Sequence, residues 1–259
     1  MLAEEQNRVV VVLVRARNPA NIGAVARAMH DFGYAHLRVV NEYSIPFAAA
    51  RSAVDASSVL GAALESTTVA EAISDCTLVL GTTAVGERAL EHPLHSFPEA
   101  AGLIRRALAC NSLARVAILF GSEKTGLSNE ELSHCHALLT IPMNTRDVSG
   151  HLSMNLGQAV AVCLYAIAQS EDVIASSKAD ADDAARRHDA PAGDLERITS
   201  LLMDALAESG YTRRHPANAR EANVRRMVRR MCLSATDAPV WTGVLRQMLH
   251  ELRKRLDPH

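Results

Sequence analysis

The stretch RVVVVLVRARNPANIGAVARAMHDFG, residues 8–33, combines two hydrophobic patterns in one segment. Its first part, RVVVVLVR (8–15), is a continuous run rich in β-branched residues, which is typical of a strand buried on both faces of a sheet. Four apolar residues then recur at helical spacing: Ile22, Val25, Ala26 and Met29. Gly33 follows as a helix-ending signal. The stretch therefore predicts a buried strand followed directly by a helix that packs on the sheet.

Strand and helix patterns alternate outward from this stretch. Strands are predicted at 36–41, near 67–69, at 77–84, at 115–121 and at 137–142. Helices are predicted at 47–64, at 97–109 and at 153–169, with a short helix that starts at a Ser128–Glu131 capping box. This alternation indicates an α/β fold with a mostly parallel sheet.

The composition changes beyond residue 169. Residues 170–193 are rich in Ser, Ala and Asp and contain Pro191 and Gly193, which indicates a linker. Three helical apolar stripes follow it. The chain is therefore predicted to consist of an α/β domain (1–169), a linker (170–193) and a small helical module (194–259).

Composition and charge set limits on location and partners. Of the 259 residues 48% are hydrophobic, enough for a buried core, and the net charge is only −2. The segment 211–259 nevertheless holds eleven Lys and Arg against four Asp and Glu, a local charge of +7. Five scattered cysteines without a C-x-x-C pair are typical of reduced thiols in the cytoplasm. The sequence shows neither a signal-peptide pattern nor an apolar run of membrane-spanning length, so no membrane contact is expected.

Candidate site residues follow the predicted strands. Asn21 and Arg27 lie on the helix after the first strand, and an open parallel sheet binds ligands at the carboxyl ends of its strands. A solvated arginine is the commonest explanation of Arg27 taken alone. GTTA (81–84) and FGSEKTG (120–126) end two further strands with glycines that let backbone approach a ligand, although GTTA taken alone is equally consistent with a plain strand-to-loop turn. The second segment lacks the spacing of a phosphate loop and is compatible with a neutral adenosine ligand.

Two other chemistries are disfavoured. His134, Cys135 and His136 are adjacent, but neighbouring side chains at a helix end diverge by about 100°, so no metal site is expected. His151 and Ser153 could suggest a hydrolase, yet no G-x-S-x-G motif surrounds the serine.

An RR-x-x-RR pattern occupies one helix of the C-terminal module. Its members are Arg225, Arg226, Arg229 and Arg230. A solvated helix face is the commonest reason for such charge. Because almost no acidic residues stand nearby in the sequence, the pattern favours contact with RNA phosphates.

Three segments, in this order, resemble the three motifs of the SpoU/TrmH branch of the SPOUT methyltransferases. They are NIGAVARA (21–28), FGSEKTGLSNEEL (120–132) and LSMNLGQAV (152–160), and the resemblance covers about residues 8–169. It implies methylation of RNA ribose from S-adenosylmethionine, a deep trefoil knot and a homodimer with shared active sites. The helical extension further resembles members that methylate tRNA at anticodon-loop position 32, on cytidine or uridine.

The resemblance also assigns roles to residues. It implies catalytic roles for Asn21, Arg27, Ser153 and Asn155. It implies a cofactor pocket formed by Thr82, Thr83, Ala84, Gly121, Glu123, Ile141, Leu152, Ser153 and Met154. Arg27 would orient the 2′-hydroxyl or its phosphate, since a guanidinium pKa above about 12 makes a neutral arginine costly. The proton could leave through phosphate, Ser153 or water. The alternatives are an rRNA ribose methyltransferase of the same family and a knotted RNA-binding protein that does not catalyse.

Overall fold

Every residue of the first strand, β1 (Val9–Val14), is buried, and its side chains alternate between two hydrophobic cores. Val9, Val11 and Leu13 belong to one core, and Val10, Val12 and Val14 belong to the other. A strand covered on both faces must lie inside a sheet with helices on each side. The computed structural model describes residues 3–41, 57–84, 91–143, 154–169 and 188–256.

Seven strands form a single parallel sheet in the described part of the chain. Their bounds are β1 Val9–Val14, β2 His36–Val40, β3 Leu64–Ser66, β4 Leu78–Thr82, β5 Leu94–Ser96, β6 Val116–Phe120 and β7 Ala137–Thr140. The order across the sheet is β3-β2-β1-β6-β4-β7-β5, and every neighbouring pair is parallel. The prediction of an α/β fold with a mostly parallel sheet is confirmed.

Helices cover both faces of this sheet. Those of the N-terminal part are α1 Ala3–Gln6, α2 Pro19–Asp31, α3 Ser57–Gly61, α4 Val69–Ala72, α5 Phe97–Cys110, α6 Asn129–Ser133 and α7 Leu156–Gln169. Residues of α2, α5 and α7 share the core with Val9, and residues of α4 and α6 share the core with Val10. The predicted Ser128–Glu131 capping box at the start of α6 is confirmed.

Helices α2 and α7 lie in unusually close contact. A Cβ atom built on Gly157 of α7 would stand 2.7 Å from the Cβ of Ala24 on α2, closer than real Cβ contacts allow. Small residues at both positions therefore bring the two helix backbones together. The N-terminal ends of α2 and α7 both lie at the carboxyl edge of the sheet as a result of the βα connections.

The edge of the sheet differs from the prediction. The strand expected near 67–69 is β3, Leu64–Ser66, because Thr68 caps α4 by accepting a hydrogen bond of 3.2 Å from the amide of Glu71. β5 was not predicted, since three residues give too short a pattern. The predicted helix 47–64 lies mostly outside the described residues, and its last residue, Leu64, starts β3.

The C-terminal helices are α8 Ala192–Glu208, α9 Tyr211–Arg214, α10 Glu221–Arg230 and α11 Asp237–Leu256. They enclose a core of their own that includes Leu195, Ile198, Val228 and Leu245. No helix in the described ranges is long and apolar enough to cross a membrane.

The end of the predicted linker is packed structure. Most of 170–193 lies outside the described residues, but α8 begins at Ala192, before the predicted boundary. The amide of Ala192 donates to the carbonyl of Cys76 (2.8 Å), and that of Gly193 donates to the carbonyl of Ser74 (3.0 Å). Ala192 and Gly193 thus dock the first turn of α8 on the sheet domain, at the point where the linker was predicted to separate the two parts.

Candidate active site

The three motif segments meet at the carboxyl edge of the sheet. β6 lies between β1 and β4, and β4 lies between β6 and β7, so the connections after these four strands are neighbours. The first segment follows β1, the second follows β6, and the third leads into α7. Parallel strands place all of these connections at one edge, which is where open α/β sheets bind ligands.

A chain of hydrogen bonds joins the three segments. Nδ2 of Asn155 donates to Oδ1 of Asn21 at 3.0 Å, and Nδ2 of Asn21 donates to Oε1 of Glu123 at 3.0 Å. The backbone amides of Arg17 and Asn18 also donate to the Glu123 carboxylate, each at 3.3 Å. The structure therefore brings together three residues that the sequence assigned to a site, one from each motif.

The direction of this hydrogen-bond chain is fixed at both ends. Oδ1 of Asn155 accepts from the amides of Gly157 (3.0 Å) and Gln158 (3.4 Å), so it caps α7 and turns its Nδ2 towards Asn21. At the other end, an ionised Glu123 can only accept. Asn21 must therefore accept from Asn155 and donate to Glu123.

The environment of Glu123 favours its charged form. Burial alone would raise the pKa of this carboxyl, but the hydrogen bonds from the Asn21 side chain and from the amides of Arg17 and Asn18 outweigh it, and the pKa is lowered. Glu123 is thus an anion at neutral pH, held half-buried at the sheet edge. Its role is to fix the loops after β1 and β6 relative to each other.

The loop after β6 is folded tightly on itself. A Cβ atom on Gly121 would stand 2.1 Å from the carbonyl carbon of Gly126 and 2.2 Å from the nitrogen of Leu127, so only glycine fits at this position. Gly126 adopts φ = 64°, and its amide donates to the carbonyl of Ser122 at 2.8 Å. We call residues 121–128 the motif-two loop.

Arg15 supports the motif-two loop, a role that the sequence did not reveal. Its Nε and Nη2 donate to the two carboxylate oxygens of Glu131 at 2.6 and 2.9 Å, and Nη2 also donates to the carbonyl of Gly126 at 3.1 Å. Arg15 has φ = 57°, a left-handed conformation that is uncommon for a residue other than glycine. The available signal was a charged residue ending a buried strand, matched by an acidic residue in the capping box.

The residues predicted to line a cofactor pocket lie at the same edge. Oγ1 of Thr82 donates to the carbonyl of Leu119 at 2.9 Å, and the amide of Thr83 donates to the carbonyl of Leu139 at 3.0 Å, which ties the end of β4 to β6 and β7. Ala84 is exposed. Ile141 and Met154 are half-buried, and Gly121 starts the motif-two loop. Leu152 and Ser153 lie outside the described residues.

Arg27 is exposed on α2 and has no hydrogen bond or ion pair with any residue that the structure describes. It follows Ala24, the residue against which Gly157 packs, by one turn of the helix. Arg27 therefore lies on the same side of α2 as Ala24, beside the contact with α7, and its side chain is exposed. It is not part of the Asn155–Asn21–Glu123 chain.

Three of the four arginines predicted to contact RNA phosphates are buried. The side chains of Arg225, Arg226 and Arg229 are 4%, 10% and 2% exposed. Arg225 and Arg229 pair with Glu196, and Arg226 pairs with Glu91. The predicted RNA-binding face is therefore wrong for these three, because they are buried and each forms an ion pair with a carboxylate of this chain. Arg230 is exposed.

Of the two histidines after α6, His136 has a local structural role. Nδ1 of His136 accepts a hydrogen bond of 3.0 Å from the amide of Val79 on β4. Burial lowers the pKa of His136 to about 3 and that of His134 also to about 3, so both rings are neutral. No group of His, Cys, Asp and Glu suited to a metal ion occurs within the described ranges.

Fold and site together define a parallel α/β protein whose candidate site is built from three loop-to-helix junctions at the carboxyl edge of the sheet. The chain belongs to the SpoU rRNA Methylase family, whose profile matches residues 8–165. A Klebsiella pneumoniae protein named tRNA (cytidine/uridine-2'-O-)-methyltransferase TrmJ is 33% identical over 250 residues, which cover 95% of this chain and 96% of that protein. A Yersinia pestis protein of the same name is 32% identical over 247 residues, with coverages of 95% and 91%.

A solved structure is similar over nearly the whole chain. The crystal structure of TrmJ from Z. mobilis ZM4 has a TM-score of 0.72 and 28% sequence identity, and the match covers 92% of this chain and 98% of that one. The similarity therefore includes the C-terminal helices as well as the sheet domain.

Proposed function

We propose that this chain is an S-adenosylmethionine-dependent tRNA ribose 2′-O-methyltransferase that acts at anticodon-loop position 32 on cytidine or uridine. The observation that carries the proposal is the hydrogen-bond chain from Asn155 through Asn21 to Glu123, which unites the three motifs of a methylase family at one sheet edge. Relatives that match 95% of the chain are named tRNA (cytidine/uridine-2'-O-)-methyltransferase.

The residues at the sheet edge fit the proposed cofactor. S-adenosylmethionine combines an uncharged nucleoside with a polar amino-acid tail, and the connections after β4, β6 and β7 offer mainly backbone groups and small side chains. Ala84, the backbone of the motif-two loop, Ile141 and Met154 would hold it, together with Leu152 and Ser153. When bound, it supplies a methyl group on a sulfonium as the electrophile.

Arg27 is assigned to the substrate. Its exposed guanidinium would orient the ribose 2′-hydroxyl or its phosphate and stabilise the alkoxide that develops as the proton leaves. The 2′-oxygen would accept the methyl group that the cofactor supplies, and the hydroxyl proton would pass to phosphate, Ser153 or water. Asn21 and Asn155 hold the helix ends that carry Arg27 and the third motif.

The exposure of Arg27 favours a site completed by a second subunit. Helix α7 is strongly apolar, and two of its apolar side chains are open to solvent: Val162 is 39% exposed and Tyr165 is 54% exposed. A homodimer in which α2 and α7 of two copies pack together would cover these side chains and bring Arg27 to the partner's cofactor site. We also propose that the sheet domain contains a deep trefoil knot, that the protein is cytoplasmic and that the helical extension binds tRNA.

An rRNA substrate is the second candidate, because the family description names rRNA. The helical extension favours tRNA, since the relatives named for tRNA match the chain through this region. A knotted RNA-binding protein without catalysis is less consistent with the complete Asn155–Asn21–Glu123 chain and the exposed guanidinium of Arg27.

Nucleoside mass spectrometry tests the proposal. Total tRNA and rRNA are isolated from the parent strain, from a deletion strain and from the complemented deletion strain, and their nucleosides are compared. The purified protein is then incubated with unmodified tRNA and S-adenosylmethionine. The proposal requires loss of 2′-O-methylcytidine or 2′-O-methyluridine from tRNA and its restoration in vitro. Loss confined to rRNA would favour the second candidate.

A further inference from the structure

Arg225 lies at the centre of the contact between the helical extension and the sheet domain. Its Nη1 donates to Oε1 of Glu130 at 2.5 Å and to Oγ of Ser133 at 2.9 Å, both on α6. Its Nε donates to the two carboxylate oxygens of Glu196 on α8 at 3.1 and 3.0 Å, and Nη2 donates to Glu221 on its own helix. One buried guanidinium therefore connects α6, α8 and α10.

Helix α6 is the direct continuation of the motif-two loop. The capping box at its start binds Glu131 to Ser128: the Ser128 amide donates to Oε2 of Glu131 at 2.6 Å, and the Glu131 amide donates to Oγ of Ser128 at 3.2 Å. Glu131 also accepts from Arg15, whose Nη2 reaches the carbonyl of Gly126. A shift of α6 would therefore move the second half of the loop.

The loop transmits such a shift because its backbone is in direct contact with itself. Gly126 and Leu127 fill the space where any side chain at Gly121 would stand, so the two halves of the loop cannot move independently. Glu123 lies between them and binds Asn21. The contacts of Arg225 thus continue, without a gap, to the Asn155–Asn21–Glu123 chain.

The charge balance of this contact depends on Arg225. Glu130 and Glu196 both pair with it, whereas Arg229 approaches Glu196 only at 3.6 Å and its Nε and Nη2 have no hydrogen-bond partner among the described residues. His134 stands 3.6 Å from the same carboxylate. Removing Arg225 would take away the cation that pairs with Glu130 and the hydrogen bond that Oγ of Ser133 accepts.

We infer that Arg225 is a positioning residue: it couples the helical extension to the motif-two loop, so that RNA bound by the extension and S-adenosylmethionine bound at the loop strengthen each other's binding. The identity of the two ligands rests on the proposed function. Coupling of this kind is reciprocal, since any change in one binding free energy must appear in the other. Nothing in the RR-x-x-RR pattern alone distinguishes this role from a solvated face.

The variant Arg225→Met keeps an unbranched apolar side chain that fills most of the same volume, and it removes the hydrogen-bond donors and the charge. Arg230→Met is the matched control, because Arg230 is exposed on the same helix. Calorimetry measures the affinity of the full-length protein for S-adenosylhomocysteine with and without unmodified tRNA. We expect tRNA to raise the affinity of the wild type by about five-fold or more, the lower end of typical coupling, and to raise it little in Arg225→Met.

If Arg225 had only a structural role, Arg225→Met would change the melting temperature, but tRNA would still raise the affinity for S-adenosylhomocysteine as much as in the wild type. Arg230→Met should keep the coupling even if its tRNA affinity falls. Equal coupling in the wild type and in Arg225→Met would overturn the inference. If Arg225→Met does not fold, Glu130→Ala and Ser133→Ala each remove one contact and leave the pair with Glu196 intact, and each should reduce the coupling.

Amide hydrogen exchange gives a readout that does not depend on either ligand. In the free protein, amides of the motif-two loop and α6 should exchange faster in Arg225→Met than in the wild type, while Arg230→Met should match the wild type. Unchanged exchange in this region would contradict the inference. A third outcome separates the inference from the proposed function. If the wild type binds no S-adenosylhomocysteine but Arg225→Met still exchanges faster than the wild type, the proposed function is contradicted and the mechanical link between Arg225 and the motif-two loop is supported.

Discussion

The side-chain amide of Asn155 donates a hydrogen bond of 3.0 Å to Oδ1 of Asn21, although the two residues are 134 positions apart in the sequence. Each of them lies at the N-terminal end of a helix, α7 and α2, whose backbones are held close by Gly157 and Ala24. Since Asn21 passes a hydrogen bond on to Glu123, the three motifs form one polar unit. Changing any member alters the partner of the next one.

Asn155→Asp is expected to break this unit while preserving the helix. An aspartate keeps the oxygen that caps α7, but its second oxygen faces Oδ1 of Asn21 in place of a donor. If Asn21 turns its amide round, its oxygen meets the Glu123 carboxylate instead. We expect affinity for S-adenosylhomocysteine to fall roughly ten-fold, about 1.4 kcal/mol, with a small change in melting temperature.

Asn218→Asp controls for the added charge, because Asn218 is exposed in the helical extension. Calorimetry on both variants measures the effect. Equal cofactor affinity in Asn155→Asp and the wild type would mean that the hydrogen-bond chain does not shape the cofactor site.

Glu123→Gln should reduce stability in a pH-dependent way. The hydrogen bonds to Glu123 lower its pKa in the folded protein below the ordinary value of 4.5. A carboxyl with a depressed folded pKa contributes stability that is fully present above its unfolded pKa and is lost as the pH falls through the folded pKa. The difference in unfolding free energy between wild type and variant should therefore be constant near neutral pH and shrink below about pH 4.5.

Urea denaturation at a series of pH values measures this difference, and Glu65→Gln at an exposed position controls for the loss of a carboxylate. A difference that grew on acidification would show that Glu123 is destabilised in the folded protein, contrary to its hydrogen bonds.

The parts of the fold that the sequence predicts best are those decided locally. The β-branched run of β1 and the apolar stripe of α2 are burial patterns within one element, and the Ser128–Glu131 capping box spans only four residues. The site residues Asn21, Glu123 and Asn155 are predicted from three sequence motifs. A sequence shows the order of these motifs but not how their side chains are arranged in space.

The role of Arg225 could not be predicted because the partners that join it to α6 and α8 are distant in the chain. Glu130 lies 95 positions away and Glu196 lies 29 positions away, and the sequence beside RR-x-x-RR, where Glu221 is the nearest acid, gives no sign of them. β3 was misplaced for a different reason: Thr67–Val69 has strand propensity, but the Thr68 hydroxyl caps α4 instead. Both errors arise where tertiary or capping contacts override a local pattern.

Gly157→Ala should push α2 and α7 apart. The new methyl group would meet the Cβ of Ala24 at 2.7 Å, and overpacking of this kind typically costs about 1–3 kcal/mol. Because the Asn155–Asn21 hydrogen bond spans the same helix pair, cofactor affinity should fall together with stability. The double variant Ala24→Gly/Gly157→Ala should restore most of both, since it moves the methyl group from one helix to the other.

Gly102→Ala on α5 is the control, because a Cβ there meets nothing within 4 Å and alanine favours the helix by up to about 1 kcal/mol. Melting temperatures and S-adenosylhomocysteine titrations of the four proteins check the prediction. Failure of Ala24→Gly to rescue Gly157→Ala would locate the strain elsewhere.

Arg27→Ala should abolish methyl transfer while leaving fold and cofactor binding nearly intact, because the side chain is exposed and off the packing stripe of α2. Arg27→Lys should also fail, since a point charge cannot reproduce a planar fork of donors. Arg106→Ala, at an exposed position of α5, should keep full activity. A loss of only a few-fold in Arg27→Ala would assign the orientation of the hydroxyl to another group.

The same variant tests the shared site. Co-purified heterodimers of Arg27→Ala and a Ser153→Ala/Asn155→Ala double variant should regain part of the activity, because one of the two sites would then be built from two intact halves. Light scattering establishes the oligomeric state first. A monomer that still methylates tRNA would exclude a site completed by a partner.

The exposed arginines of the extension, rather than the buried ones, should contact tRNA. Arg213, Arg214, Arg220 and Arg230 are all exposed. Replacing these four by glutamine should weaken tRNA binding and lower the log–log salt slope by roughly 0.7 to 0.9 for each phosphate that is no longer bound. S-adenosylhomocysteine affinity without tRNA should not change, since none of the four side chains binds α6 in the described part of the chain.

A second quadruple variant that removes the same amount of charge provides the comparison: Arg246, Arg253, Lys254 and Arg255 on α11, all exposed, are changed to glutamine. Binding is measured over a range of salt concentrations with full-length tRNA and with an isolated anticodon stem-loop. If Arg213, Arg214, Arg220 and Arg230 contact the body of the tRNA, replacing them should weaken binding of full-length tRNA more than binding of the anticodon stem-loop. A larger drop in salt slope for the α11 variant would place the RNA-binding face at the end of that helix instead.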